Sequence, residues 1–165
     1  MVNVLFVCLG NICRSPMAEG IFTSLVAAGG MAEIIAADSA GTSGFHAGEL
    51  PDPRAVQTAE LYGVTLTHRS RKLVMEDFQR FDYILSMDSA NLDIILAMQK
   101  RSGFNTAKVL MMRSFDPEAD DDLDVPDPYY GGLHGFEEVY QMLVRSNEQL
   151  LEFLKQQHLQ HDRSE

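Results

Sequence analysis

The feature that most constrains this chain lies at its start. Val2-Asn3-Val4-Leu5-Phe6-Val7 is a short apolar, largely β-branched run, which reads as a buried strand. It leads directly into Cys8-Leu9-Gly10-Asn11-Ile12-Cys13-Arg14-Ser15, and that loop leads directly into a helical pattern. Ser15 is a suitable N-cap and Pro16 a suitable first helical residue, with Met17, Ala18, Ile21, Phe22 and Leu25 forming an apolar stripe up to Gly29-Gly30. A seven-residue wrap between a strand and a helix start turns backbone N–H groups inward and adds the helix's own unpaired donors, making an anion cradle. Gly10 and Asn11 are residue types that tolerate left-handed backbone in such a wrap. Arg14 has the planar fork that grips two phosphate oxygens, and Cys8 stands at the mouth, where the same donors stabilise a thiolate. Ser15 adds a hydroxyl within reach of that sulfur.

The rest of the chain alternates strand and helix signals. Strands are expected over Ile34 to Ala40, Asp82 to Met87 and Ala107 to Met111. Helices are expected from Pro53 to near Gly63, over Ser89 to Lys100, and from Gly135 to about Gln157. The segment from Gly41 to Gly48 is too glycine-rich for regular structure. This pattern predicts an α/β fold: a single domain with a four-stranded parallel sheet, helices on both faces and ligands beyond the carboxyl ends of the strands. The length of 165 residues suits one domain over 1–165.

A net charge of −11 opposes nonspecific attraction to nucleic acid or anionic membrane, so any phosphate site must be local. No apolar run reaches a membrane-spanning length, and the start does not read as a signal peptide, so a cytoplasmic location is expected. The two cysteines, Cys8 and Cys13, lack CxxC spacing, which argues against structural zinc, and no metal or cofactor is expected.

Residues 4–19 resemble the signature of the low-molecular-weight protein tyrosine phosphatases. The resemblance continues in Asp38-Ser39-Ala40-Gly41-Thr42-Ser43-Gly44, Pro51-Asp52-Pro53-Arg54-Ala55, His68-Arg69-Ser70-Arg71, Asp82-Tyr83-Ile84-Leu85-Ser86-Met87-Asp88 and Val125-Pro126-Asp127-Pro128-Tyr129-Tyr130-Gly131. It implies hydrolysis of protein phosphotyrosine and small aryl phosphates through a phosphocysteine on Cys8. Arg14 and the loop Leu9 to Cys13 with Ser15 would bind phosphate, and Asp127 would serve as general acid and then base. Tyr129, Tyr130, Leu9 and Phe45 would wall a slot for an aromatic ring. Phe45 and His46 depart from the family's more usual Trp or Tyr followed by Asn, which bears on substrate preference. Asn11, Ser39 and His68 match a network bracing the loop from behind, and Asp88 matches a carboxylate near Arg14 that is also placed to cap a helix. Cys13 would form a reversible disulfide with Cys8 under peroxide.

The acidic residues Asp116, Glu118, Asp120, Asp121, Asp122 and Asp124 read as a solvated face, from which only the family pattern singles out Asp127. The partners implied are a phosphotyrosine protein and a tyrosine kinase of the same pathway, with a monomer or weak self-association through the aromatic lip. Two alternatives use the same architecture: an arsenate reductase, which needs resolving cysteines that this chain lacks beyond residue 13, and a phosphate-binding module without catalysis.

Overall fold

The computed structural model describes residues 1–159; the last six residues of the expected 1–165 domain lie outside the described residues. Four strands, β1 (Val2–Cys8), β2 (Ile35–Gly41), β3 (Tyr83–Ser86) and β4 (Lys108–Met111), form one parallel sheet in the order β2-β1-β3-β4. Cys8 pairs with Gly41, and Val7 pairs with both Ala40 and Ser86, so the carboxyl ends of the three neighbouring strands emerge together. The chain goes from β1 to one neighbour and then crosses to the other, which makes the end of β1 the point where the sheet reverses direction and opens a crevice.

Period-two alternation sorts β1 between two cores. Val4, Phe6 and Cys8 face α1 (Arg14–Ala28), α2 (Pro53–Glu60) and α5 (Leu133–His158). Leu5 and Val7 face α3 (Asp77–Arg80) and α4 (Ser89–Ser102), where Phe78 and Ile95 are fully buried. Helices therefore cover both faces. Phe6 and Phe22 meet edge to face at 5.5 Å inside the larger core, and each such buried ring contributes about 1.5–3 kcal/mol.

Two short elements escaped the sequence patterns, α3 and a 3-10 turn at Met112–Phe115. One turn of helix is too short to show a period. α1 also begins two residues earlier than expected, and its N-cap is Cys13, without a side-chain cap bond. Pro16 is consequently the third helical residue; it costs nothing there because the first four helical amides have no intrahelical acceptor. Ser15 is released from capping and turned toward Cys8.

Candidate active site

The phosphate loop is shaped from outside by its carbonyl groups. Cys8 O accepts from Thr42 N (2.9 Å), Leu9 O from Ser43 N (2.9 Å), Gly10 O from Ser70 Oγ (3.0 Å), and Ile12 O from Asp52 N (2.8 Å). Tying these oxygens to surrounding loops leaves the amide side of the wrap free for an anion. Asn11 N–H, for one, points at Cys8 Sγ from 3.3 Å. The approach of the 41–43 loop requires Gly41, since a Cβ there would sit 2.7 Å from Leu9 O.

Asn11 holds the loop's one left-handed position (φ 58°). Gly10 does not adopt it, contrary to expectation; a side chain there would instead press on the His46 ring, 3.1 Å from its Cβ. The Asn11 side chain faces away from the pocket. Its Nδ2 donates to Ser15 Oγ (2.7 Å) and Ser39 Oγ (3.0 Å), while Oδ1 accepts from Arg71 N (3.0 Å) and His68 Nε2 (2.9 Å). All of this amide's bonding capacity is used, which offsets the backbone strain. Because Ser15 Oγ accepts from Asn11, its own hydrogen is available to Cys8 Sγ, 3.0 Å away.

Arg14, buried to 3% exposure, donates to Asp88 Oδ2 (2.7 Å) and Val125 O (2.9 Å). Burial opposes its charge, but the Cys8 sulfur, Asp88 and Asp127 outweigh that and push its pKa above the ordinary value. Asp88 does both things expected of it: Oδ1 caps α4 at Asn91 N (2.7 Å) while Oδ2 holds Arg14. Asp127 Oδ2 stands 3.7 Å from Arg14, on the open side, and its Oδ1 accepts from Tyr129 N (3.0 Å).

These groups surround a cavity of about 280 Å³. Cys8, Gly10, Ile12, Cys13 and Arg14 form its floor, and Leu9, Phe45, His46, Tyr129 and Tyr130 its walls, with Asp127 at the side. Phe45 and Tyr130 stand 85% and 92% exposed, an open apolar rim around a polar floor. Of the sequence-derived substrate residues, Asn11 and Ser15 are absent from this lining and lie behind the loop, as do Ser39 and His68. Ser43, which sequence reasoning did not single out, joins the wall. Both cysteines are free, and burial together with nearby Asp52 and Cys8 pushes the Cys13 thiol far up.

Other supporting residues were also missed. Glu19, in the second turn of α1, accepts from Ser39 Oγ (2.7 Å) and faces His68 Nδ1 at 3.3 Å, as does Asp38. Arg71 joins Asp38 to the buried Asp77. Asp116 corrects the solvated-face reading of the acidic run: its carboxylate is fully buried and accepts from Arg145 (2.9 and 3.1 Å) and Arg113 (3.2 Å). Arg113 and Arg71 lie near Asp116 and Asp77 in sequence, but the other partners are 20 to 49 positions apart, beyond any sequence period.

A parallel α/β sheet with a cysteine-bearing oxyanion loop at its reversal point defines a class of phosphate-handling proteins. A family model described as low molecular weight phosphotyrosine protein phosphatase matches residues 3–162, and the chain belongs to that family. It is 44% identical over 158 residues to the low molecular weight protein-tyrosine-phosphatase of Streptomyces coelicolor, covering 94% of both chains. To the human low molecular weight phosphotyrosine protein phosphatase it is 43% identical, over 91% of this chain and 94% of that one. The crystal structure of a protein tyrosine phosphatase from Entamoeba histolytica with Hepes in its active site superposes with a TM-score of 0.88. Its sequence is 35% identical, over 96% of this chain and all of that one. The chain is thus a hydrolase of the protein tyrosine phosphatase type.

Proposed function

We propose that the enzyme hydrolyses protein phosphotyrosine in two steps. The Cys8 thiolate attacks phosphorus, an S–P bond forms, and the bond to the leaving oxygen breaks as Asp127 gives that oxygen its proton. Asp127, now a carboxylate, takes a proton from water as the water oxygen attacks phosphorus; inorganic phosphate leaves and the thiolate returns. Arg14 and the loop amides hold the three equatorial oxygens through both steps, and this fixed electrostatic complement supplies most of the acceleration. Ser15 stabilises sulfur as attacking and leaving group.

The single observation that carries this reading is the placing of Cys8, Arg14 and Asp127 around one cavity, the carboxylate 3.7 Å from the guanidinium on the open side. The apolar rim favours an aryl ester, whose ring spans the depth from Tyr130 to Cys8; a phosphoserine side chain is shorter. The absence of cysteines beyond residue 13 weighs against arsenate reduction.

We further propose a cytoplasmic enzyme acting opposite a tyrosine kinase, monomeric or weakly self-associating through the rim. No helix among the described residues is long and apolar enough to cross a membrane. Under peroxide, Cys8 becomes a sulfenic acid and Cys13 displaces water from it to give a disulfide, which thiols reduce. Inactivation that thiols reverse equally well in Cys13→Ser overturns that protective role.

Steady-state hydrolysis of an aryl phosphate near pH 6, without added metal, tests the main reading. Cys8→Ser is expected to reduce activity to background, and Asp127→Ala to lower kcat/KM by about 10²-fold or more. Activity retained in Cys8→Ser overturns the mechanism, and a wild type that binds phosphate without turnover turns the reading into a binding module.

A further inference from the structure

The segment Asp52-Pro53-Arg54 has no part in the chemistry above, yet it bridges both halves of the site, Asp52 on the phosphate loop and Arg54 on the loop that carries Asp127. Asp52 caps α2 by accepting from Arg54 N (2.8 Å), and it holds the guanidinium too, through Nε (3.0 Å) and NH2 (2.9 Å). The fork so fixed reaches across to the loop that follows Asp127. NH2 donates to Tyr129 O (2.9 Å) and NH1 to Gly131 O (3.0 Å). Its plane also lies 4.7 Å from the Phe136 ring centre and 5.5 Å from that of Tyr129.

A residue serving only to cap or pair with α2 would need none of these distant contacts. The path they make is continuous. Asp127 Oδ1 accepts from Tyr129 N; Tyr129 O accepts from Arg54; Arg54 is locked to Asp52; and Asp52 N donates to Ile12 O in the phosphate loop. We propose that Arg54 is a positioning residue for the general acid, setting the distance between the Asp127 carboxyl and the phosphate cradle. It touches neither substrate nor the reacting atoms, so its effect passes through the Asp127–Tyr129 segment it holds. Lysine cannot replace it, because a point donor cannot hold two carbonyls and a carboxylate together. The proposal rests on Asp127 being the acid.

The test compares wild type, Arg54→Lys and Arg54→Met on aryl phosphates whose phenols span poor to good leaving groups. kcat/KM reports the step in which the acid acts. Both variants are expected to lose about tenfold on phenyl phosphate and less than about twofold on 2,4-dinitrophenyl phosphate, whose leaving oxygen needs little protonation. Inhibition by inorganic phosphate should stay within about twofold, which also shows that the cradle is folded. Introduced into Asp127→Ala, Arg54→Met should cost less than about twofold, since residues acting as a unit are non-additive. An equal loss on every ester, a weakened phosphate inhibition, or a full additional loss in Asp127→Ala overturns the proposal. If Asp127→Ala itself spares phenyl phosphate hydrolysis, the acid reading falls and takes this one with it; that result is separate from all the others.

Discussion

The phosphate loop, residues 8–15, and the acid loop, residues 116–131, meet at Arg14 but are secured by different chemistry. The phosphate loop is mostly buried, and apart from the Arg14–Asp88 pair the groups bonded directly to its turn are mainly uncharged: the Asn11 amide, the Ser15 and Ser39 hydroxyls and the tied carbonyls. The acid loop is largely exposed, and guanidinium groups hold it at its carbonyls. Arg113 reaches Asp122 O and Asp124 O, Arg14 reaches Val125 O, and Arg54 reaches Tyr129 O and Gly131 O. Val125, fully buried and bonded through its N–H to Met87 O (2.7 Å), and the buried Pro128 anchor it by packing. Neutral, dry bracing suits a cradle that must keep its shape against the charge of a phosphate. Long charged arms suit a loop whose acid must reach substrates of different shape.

The largest effect is expected from the brace of the buried loop. Asn11→Ala removes four hydrogen bonds and leaves a non-glycine residue at φ 58°. Several kcal/mol of stability should be lost, at about 1 kcal/mol per bond, and kcat should fall with it. Chemical denaturation and steady-state kinetics check both. An Asn11→Ala enzyme with wild-type kcat would show that the cradle holds itself.

Asp116→Asn probes the other side. The buried carboxylate stays below its ordinary pKa because Arg145 and Arg113 outweigh the cost of burial. A pKa depressed on folding contributes stability above the unfolded value of about 3.9 that is lost as pH falls through the folded one. The variant should therefore be about 3 kcal/mol less stable than wild type at pH 7, and the gap should narrow below about pH 4. Denaturant melts at both pH values decide it, and a gap independent of pH would remove the ion pair from the account.

Asp88→Ala falls between the two regions, because it strips both the α4 cap and the Arg14 partner. The cap should cost about 1 kcal/mol, and Asp88→Asn, which keeps a capping oxygen, should recover most of that but not the affinity for inorganic phosphate. Full rescue of phosphate binding by Asp88→Asn would mean that Arg14 needs no charge beside it. The smallest change is expected from Tyr130→Ala. At 92% exposure the ring meets only Tyr129, edge to face at 5.0 Å, among the aromatic rings of the described residues, so KM for an aryl phosphate should rise a few-fold at unchanged kcat and stability.

How much of this was legible beforehand follows the same division. β1, the phosphate loop and α1 are contiguous, so period, turn residues and helix signals described them within a residue or two, Ser15 and Gly10 being the points misread. The acid loop carried no period, and Asp127 was recognisable only by resemblance to a family. The Arg145 partner of Asp116, 29 positions away, and the second set of bonds made by Arg54 were invisible.

The sequence by itself determined the local chemistry: a strand that ends on a nucleophile, a wrap that presents amides and an arginine, and an alternation that allows only a parallel sheet between helices. The tertiary structure decided which distant groups complete that loop. Asn11 meets Ser39 and His68, Arg14 meets Asp88 and Val125, and Asp127 arrives over the open side. The reason is physical. Backbone preference and hydrophobic period act over neighbours a few residues apart, whereas these bonds join residues 28 to 111 positions apart and exist only once both cores have closed around β1.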